Sequence, residues 1–329
     1  MSCYAKETRQ AGLQLFELGN DLVKIVVSPG EGGKIRHLVN LQTGRDYCWQ
    51  MPDPPGGLRK PGMDYTQADC TGIDDCLPTI APCRWNGRDL PDHGEIWTGQ
   101  METEWAAQRA DSVALRTSLD LPFSAMRFER VVSVSEGASI IKLHYALRST
   151  GEKDQDYIWA LHPLMAFRAG EQLVLPSVQR IITDASAANT PLEGFGREFD
   201  WPVAADGLDL SKLKVGDDEK GCVKVFSGKM QAGWAALHDS RRGDLLAFLF
   251  DPSVLPYVGV WINRGGWGGY QHVAIEPTNG RPDGLDIAAG QWHSAQKLCA
   301  GQCRTWELSI LCTTRKGRMN DIQPDGCVS

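Results

Sequence analysis

The run Met126-Arg127-Phe128-Glu129-Arg130-Val131-Val132-Ser133-Val134-Ser135 decides the fold class, because Met126, Phe128, Val132 and Val134 recur at even spacing. Side chains alternate between the two faces of a strand, so a period of two marks a strand with one buried face, where a helix would need 3.6. Val113, Leu115 and Leu119 keep the same rhythm, as do Ile141, Leu143, Tyr145 and Leu147, and Trp306, Leu308, Ile310 and Cys312. Residues 13–18, 21–27 and 35–41 form an opening series, broken by Gly19-Asn20, a hairpin turn, and by the glycine-rich residues 28–33. Residues 157–167, 233–238, 244–250, 258–262 and 272–275 are more continuously apolar strands, and residues 239–243 read as another hairpin turn.

Long amphipathic helical patterns are absent, and the best local candidate, Trp105-Ala106-Ala107-Gln108-Arg109, is too short to score as a helix. Residues 51–71 are rich in Pro, Gly and Asp, and residues 183–218 carry little periodicity, so both are expected to be loops outside the sheets. No internal repeat or low-complexity linker divides the chain. The reading is one all-β domain over residues 1–329, with antiparallel, meandering connections and two long loops. Long loops on a rigid sheet are where binding sites tend to be.

With 42% hydrophobic and 23% charged residues, the 329-residue chain can bury a large core. A formal charge of -7 argues against nucleic acid or an anionic membrane surface as partner. The opening Met1-Ser2-Cys3-Tyr4-Ala5-Lys6-Glu7 has no basic region followed by an apolar run, so no secretory signal is read there. The most apolar stretch, residues 245–262, is interrupted by Asp251, Pro252 and Pro256, which argues against a spanning helix. A cytoplasmic protein is the expectation, and its ten cysteines are read as reduced, mostly buried thiols.

Three stretches concentrate polar function. Pro91-Asp92-His93-Gly94-Glu95-Ile96-Trp97 places an imidazole, two carboxylates and an indole on a loop. In Trp159-Ala160-Leu161-His162-Pro163-Leu164-Met165-Ala166-Phe167, a mid-strand histidine reads first as a core residue bonded to the backbone. Pro163 removes a ladder donor beside it and suggests an edge or a bulge, which often re-aims side chains near active sites. Glu276 closes the apolar run that starts at His272, just before Pro277, Gly280, Arg281 and Pro282. It is either a solvated partner of Arg281 or a carboxylate held at the mouth of a cleft.

Together these stretches resemble the aldose 1-epimerases, or galactose mutarotase-like proteins, along nearly the whole chain. Val27-Ser28-Pro29 and Gly32-Gly33-Lys34-Ile35 look like the family's first strands, and Pro91 to Trp97 like its first histidine motif. Leu161-His162-Pro163 with Phe167 is similar to the second histidine motif, Ala274-Ile275-Glu276 with Pro282-Asp283 to the glutamate motif, and Gly301 with Trp306 to the closing strand. The resemblance implies a galactose mutarotase-like β-supersandwich that interconverts the α and β anomers of a free aldose without cofactor or metal. It assigns Glu276 as the base that takes the anomeric hydroxyl proton, His162 as the acid that protonates the ring oxygen, and His93 as a substrate-binding group. A monosaccharide is the expected partner, and a monomer or homodimer the expected state.

Relatives that act on hexose 6-phosphates tend to carry an arginine near the position of Gly72-Ile73-Asp74-Asp75-Cys76-Leu77-Pro78. Here Asp74 and Asp75 suit the hydroxyls of a neutral sugar, with Asp75 taken as a binding residue and Arg84 as the nearest cation for a charged one. Galactose mutarotases proper place an asparagine where Leu161 stands. Trp97, Trp159, Trp261 and Trp267 are core residues or sugar-packing rings, Trp261 and Trp267 being the best placed of the four. Two rivals remain at this level. A metal centre could use His93, Glu95, His162 and Glu276, but the spacing lacks a second nearby histidine, and Cys299 with Cys303 lacks a second ligand pair. A sugar-binding or sugar-sensing protein could keep the cleft without turnover.

Overall fold

The structure is a computed structural model that describes residues 2–56, 59–186, 192–204, 207–214 and 221–329. Two antiparallel sheets of twelve and eight strands dominate it, so the all-β reading holds. The eight-stranded sheet contains the strands that set the period. Met126–Ser135 lies between Ser112–Leu121 and Ile140–Ser149, with alternate residues buried along each. Phe128, Val132, Leu143, Phe248 and Ile310 from this sheet meet Ile25, Ile35, Ile73, Leu161, Val260 and Ile275 from the larger one. Burying one such side chain contributes roughly 1.5–3 kcal/mol.

The larger sheet begins as a meander. Tyr4–Gln10, Leu13–Gly19, Val23–Ser28 and Lys34–Asn40 pair in chain order. Asn20 makes the turn from Leu13–Gly19 into Val23–Ser28, accepting from the backbone N–H of Leu22 and Val23 at 2.8 and 2.9 Å. The middle is then assembled from distant segments, in the order Ile73–Cys76, Ala160–Pro163, Gln271–Thr278, Tyr257–Arg264 and Gly221–Ser227. These strands are buried on nearly every residue, because loops cover the face turned away from the second sheet. Arg59 fastens one cover, donating to the carbonyls of Trp97 and Asp69 at 3.0 and 2.6 Å.

Residues 183–218 depart from the loop expectation. Arg180–Ser186 and Glu198–Asp200 continue the large sheet to its edge, and a register shift between Thr183 and Ala185 blurs the alternation. Residues 187–191, 205–206 and 215–220 of that stretch lie outside the described residues. Among the described residues of 51–71 there is one short turn of 3-10 helix, Tyr65–Gln67, and no strand. Trp105 belongs to the strand Glu102–Gln108, and the one α-helix among the described residues is Leu285–Gly290. No helix among them is long and apolar enough to cross a membrane. Cys3, Cys48, Cys70, Cys76 and Cys312 are buried thiols, whereas Cys299, Cys303 and Cys327 are exposed.

Candidate active site

A row of charged side chains crosses the covered face of the twelve-stranded sheet. Asp74 stands directly opposite His162, and Lys224 directly opposite Trp261, which in turn faces Ala274. Residues directly across a ladder share a face, so the period of two that buries Ile73, Leu161, Ile275 and Val225 inward turns Asp74, His162, Glu276 and Lys224 outward. Lys34 Nζ bonds Asp74 Oδ2 at 2.5 Å, and His162 Nε2 lies 3.9 Å from Glu276 Oε1. Lys224 Nζ donates to Glu276 Oε2 and is 3.3 Å from Asp283 Oδ1. Glu276 Oε1 is buried without a hydrogen-bond partner.

The loop carrying His93 is locked from below. Gly94 adopts φ +74°, and a Cβ there would lie 1.9 Å from the Leu77 carbonyl oxygen, so only glycine fits. Glu95 N donates to that same carbonyl at 2.7 Å. The Glu95 side chain turns away from the cleft, accepting from Phe123 N at 2.9 Å and from the Ser124 hydroxyl. His93 itself has φ 57°, a left-handed conformation that a non-glycine residue holds only when its surroundings enforce it. Its ring is stacked on Tyr65, 3.7 Å between centroids, and meets the His162 ring edge-on at 4.8 Å. Asp92 Oδ1 takes Nδ1 of His93 at 2.9 Å, which leaves Nε2 to meet a ligand.

These groups open into a cleft of about 210 Å³. Its volume is below the roughly 300–1,000 Å³ of drug-sized ligand pockets, and it suits one small ring. Tyr65, His93 and His162 form one side; Trp261, Trp267 and His272 stand among the others, with Ile80, Ala81 and Pro82 at the rim loop. Trp261 Nε1 donates to His272 Nε2 at 3.1 Å, which fixes the indole.

Burial and charge set the protonation states. Burial, reinforced by the positive charges of His93, Lys224 and Lys34, holds the His162 pKa well below the usual imidazole value. Burial alone pushes His272 down to about 3. Burial would lower Lys224, but Asp283 and Glu276 outweigh it, and the ammonium is held above its ordinary value. For Asp92 burial acts upward, and the hydrogen bond and charge of His93 with nearby backbone N–H groups bring the carboxylate below its usual range. Among the described residues no three His, Cys, Asp or Glu side chains converge as metal ligands.

The residues singled out from sequence separate. His93, His162 and Trp261 line the cleft, with Trp267 beside them, and Glu276 lies directly beneath it. Asp75 does not reach the cleft. Its neighbour Asp74 takes the outward face, so Asp75 points between the sheets, where it binds Arg130 at 2.7 Å and Trp159 Nε1 at 3.1 Å. Arg84 is also corrected, since it lies on the exposed hairpin of Cys83–Trp85 and Arg88–Leu90, 3.5 Å from Asp89. Trp97 is buried under Arg59 and Tyr65 and does not line the cleft.

Tyr65, Lys224, His272 and Asp283 line the cleft without having been expected there. Lys224 carried a signal, a single cation inside the apolar strand Gly221–Ser227. Tyr65 carried none, since nothing in residues 51–71 distinguishes a ring that folds back from one left in solvent.

No protein-family model and no curated protein matches the chain. Solved structures do. A proposed aldose 1-epimerase from Klebsiella pneumoniae superposes with a TM-score of 0.72 at 16% identity, over 93% of this chain and 80% of its own. A galactose mutarotase-like protein from Clostridium acetobutylicum gives 0.67 at 9% identity, over 95% and 99% of the two chains. A proposed aldose 1-epimerase from Escherichia coli gives 0.65 at 14% identity, over 92% and 100%. With two large antiparallel sheets, a covered polar face on one of them and these neighbours, the chain has the galactose mutarotase-like β-sandwich fold.

Proposed function

We propose that this protein is an aldose 1-epimerase that interconverts the α and β anomers of an unphosphorylated aldose. The observation that carries the reading is the pairing at the cleft floor. A buried carboxylate oxygen of Glu276, free of hydrogen bonds, stands 3.9 Å from His162, beneath a cleft sized for one sugar ring. Opening a pyranose requires a proton to leave the anomeric hydroxyl and another to reach the ring oxygen. Glu276 serves as the base, and by the family pattern His162 would serve as the acid. Rotation about the C1–C2 bond and reclosure then yield the other anomer. His93 Nε2 is the group available to bind a hydroxyl or the ring oxygen, and Trp261 packs on an apolar sugar face.

The substrate is uncharged in this reading. Lys224, the one Lys or Arg among the described cleft-lining residues, is engaged by two carboxylates, and the nearby Lys34 and Arg59 are paired with Asp74 and Glu31. Among the described residues of the cleft, a phosphate would find no unpaired cation. The test is α-to-β exchange measured by NMR magnetisation transfer over a panel of neutral aldoses and their 6-phosphates. Accelerated exchange with a neutral aldose supports the reading. Sugar binding without acceleration anywhere would replace it with a sugar-sensing role.

A further inference from the structure

We propose that Tyr65 is the positioning residue that aims both histidines of the cleft; the assignment rests on the anomerase reading. A catalytic imidazole is ordinarily oriented by a hydrogen bond to the ring nitrogen that does not face the substrate. His162 lacks one. Its Nδ1 is buried with no partner among the described residues, and Nε2 stands 3.9 Å from Glu276 Oε1, beyond hydrogen-bond reach. Ring contacts take over that task. The Tyr65 ring meets His162 edge-on at 5.8 Å between centroids, and the His93 ring, stacked on Tyr65 at 3.7 Å, meets His162 edge-on at 4.8 Å. One phenol ring therefore sets the angle of both imidazoles.

Tyr65 is itself clamped at both ends. Its backbone N–H donates at 3.3 Å to Asp92 Oδ2, and the other oxygen of that carboxylate takes Nδ1 of His93. Its hydroxyl donates to Asp74 Oδ2 at 2.8 Å. Asp74 is held in turn by Lys34 Nζ and stands directly opposite His162 in the sheet. The turn that carries the ring, Tyr65–Gln67, is capped by Asp64, which accepts from Thr66 N at 2.8 Å. Tyr65 is 3% exposed, too enclosed to change rotamer without opening the cover of the cleft.

The backbone of His93 does not depend on Tyr65. His93 N donates to the Ile80 carbonyl at 2.7 Å and Glu95 N to that of Leu77, so residues 77–80 anchor this loop. What the Tyr65 ring adds is the direction of the side chains. Without it both imidazoles are free to turn. Ordering them again on binding then costs affinity, and a misdirected reacting group slows the chemistry.

The experiment compares the wild type, Tyr65→Leu and Tyr65→Phe in the NMR anomer-exchange assay, in urea unfolding and in the ring-proton resonances of His93 and His162. Those resonances are assigned by their loss in His93→Gln and His162→Asn. The ring current of the phenol should place the wild-type His93 resonance upfield. Tyr65→Leu should remove that shift, lower kcat by up to about 10²-fold and raise KM roughly 2- to 10-fold. Tyr65→Phe keeps the ring and loses only the bond to Asp74, so it should lose stability while recovering most of kcat and the upfield resonance. A tyrosine with a purely structural role would not separate kinetics from stability in this way. Should Tyr65→Leu fail to fold, Tyr65→Met is read in its place. An unshifted His93 resonance in the wild type, unchanged kcat and KM in Tyr65→Leu, or kcat lost equally in Tyr65→Phe overturns the assignment and leaves the anomerase reading intact. If the wild type binds a sugar without exchanging it, the anomerase reading falls, and the sugar Kd of the same variants decides this assignment in place of KM. A wild type that neither binds nor exchanges any sugar overturns both.

Discussion

Lys224 Nζ is hydrogen-bonded to Glu276 Oε2, and the two side chains are almost wholly shut off from water. An ion pair this deep contributes little net stability over an apolar pair, but breaking it leaves one charge stranded. Here the stranded charge would be Glu276, the proposed base. The pairing also occupies one carboxylate oxygen and leaves Oε1 as the free acceptor toward His162.

Lys224→Met should therefore destabilise the protein by about 3–5 kcal/mol, since Glu276 and Asp283 both lose their counter-charge. Lys224→Met combined with Glu276→Gln should recover part of that loss. Urea unfolding of the two single variants and the double variant measures the coupling, and strictly additive losses would refute it.

His162→Asn and Glu276→Gln should each lower kcat/KM for anomer exchange by roughly 10²- to 10⁴-fold with folding intact. His93→Ala should weaken sugar binding and slow turnover together, because the ring held between Tyr65 and Asp92 presents Nε2 to the ligand. Kinetics unchanged in His93→Ala would remove that residue from the site.

Acid should destabilise the fold through its buried histidines. An unfolded imidazole takes up a proton near pH 6.5, whereas native His272 stays neutral down to about pH 3 and His162 is likewise held below the usual value. The unfolded state then binds more protons, so stability falls as pH drops below about 6.5 and continues to fall toward pH 3. His272→Asn should flatten this dependence, which thermal melts from pH 7 to pH 4 would reveal. A slope unchanged in that variant would place the acid sensitivity elsewhere.

Asp75→Asn and Arg84→Ala should separate structure from surface. Asp75 is the buried partner of Arg130 between the sheets, so its replacement leaves a stranded guanidinium and should cost about 3–5 kcal/mol. Arg84, mostly exposed beside Asp89, should change stability by less than about 0.5 kcal/mol and leave exchange kinetics untouched. Both are read from denaturant midpoints and the NMR assay.

Much of the site was legible because two signals survive without coordinates. His162 beside Pro163 and Glu276 at the end of an apolar strand break the pattern of their strands; His162 lines the cleft, and Glu276 is fully buried 3.9 Å from it instead of standing at the mouth. The Asp74-Asp75 pair could not be resolved in the same way. Adjacent residues on a strand face opposite sides, and only the pairing of Asp74 with His162 decides which carboxylate is outward.

The sequence by itself determined the fold class, since period-two alternation in segments such as Met126–Ser135 permits strands with one buried face and little else. It also determined where polar groups interrupt apolar strands. Tertiary structure alone decided that Ile73–Cys76, Ala160–Pro163 and Gln271–Thr278 become neighbours, and that Gly221–Ser227 follows two strands further on and Arg180–Ser186 three. That order carries Lys224 to Glu276. The physical reason is that a strand's own residues dictate its faces, whereas its neighbours are chosen by the packing of the whole sandwich and by the loops that close over it.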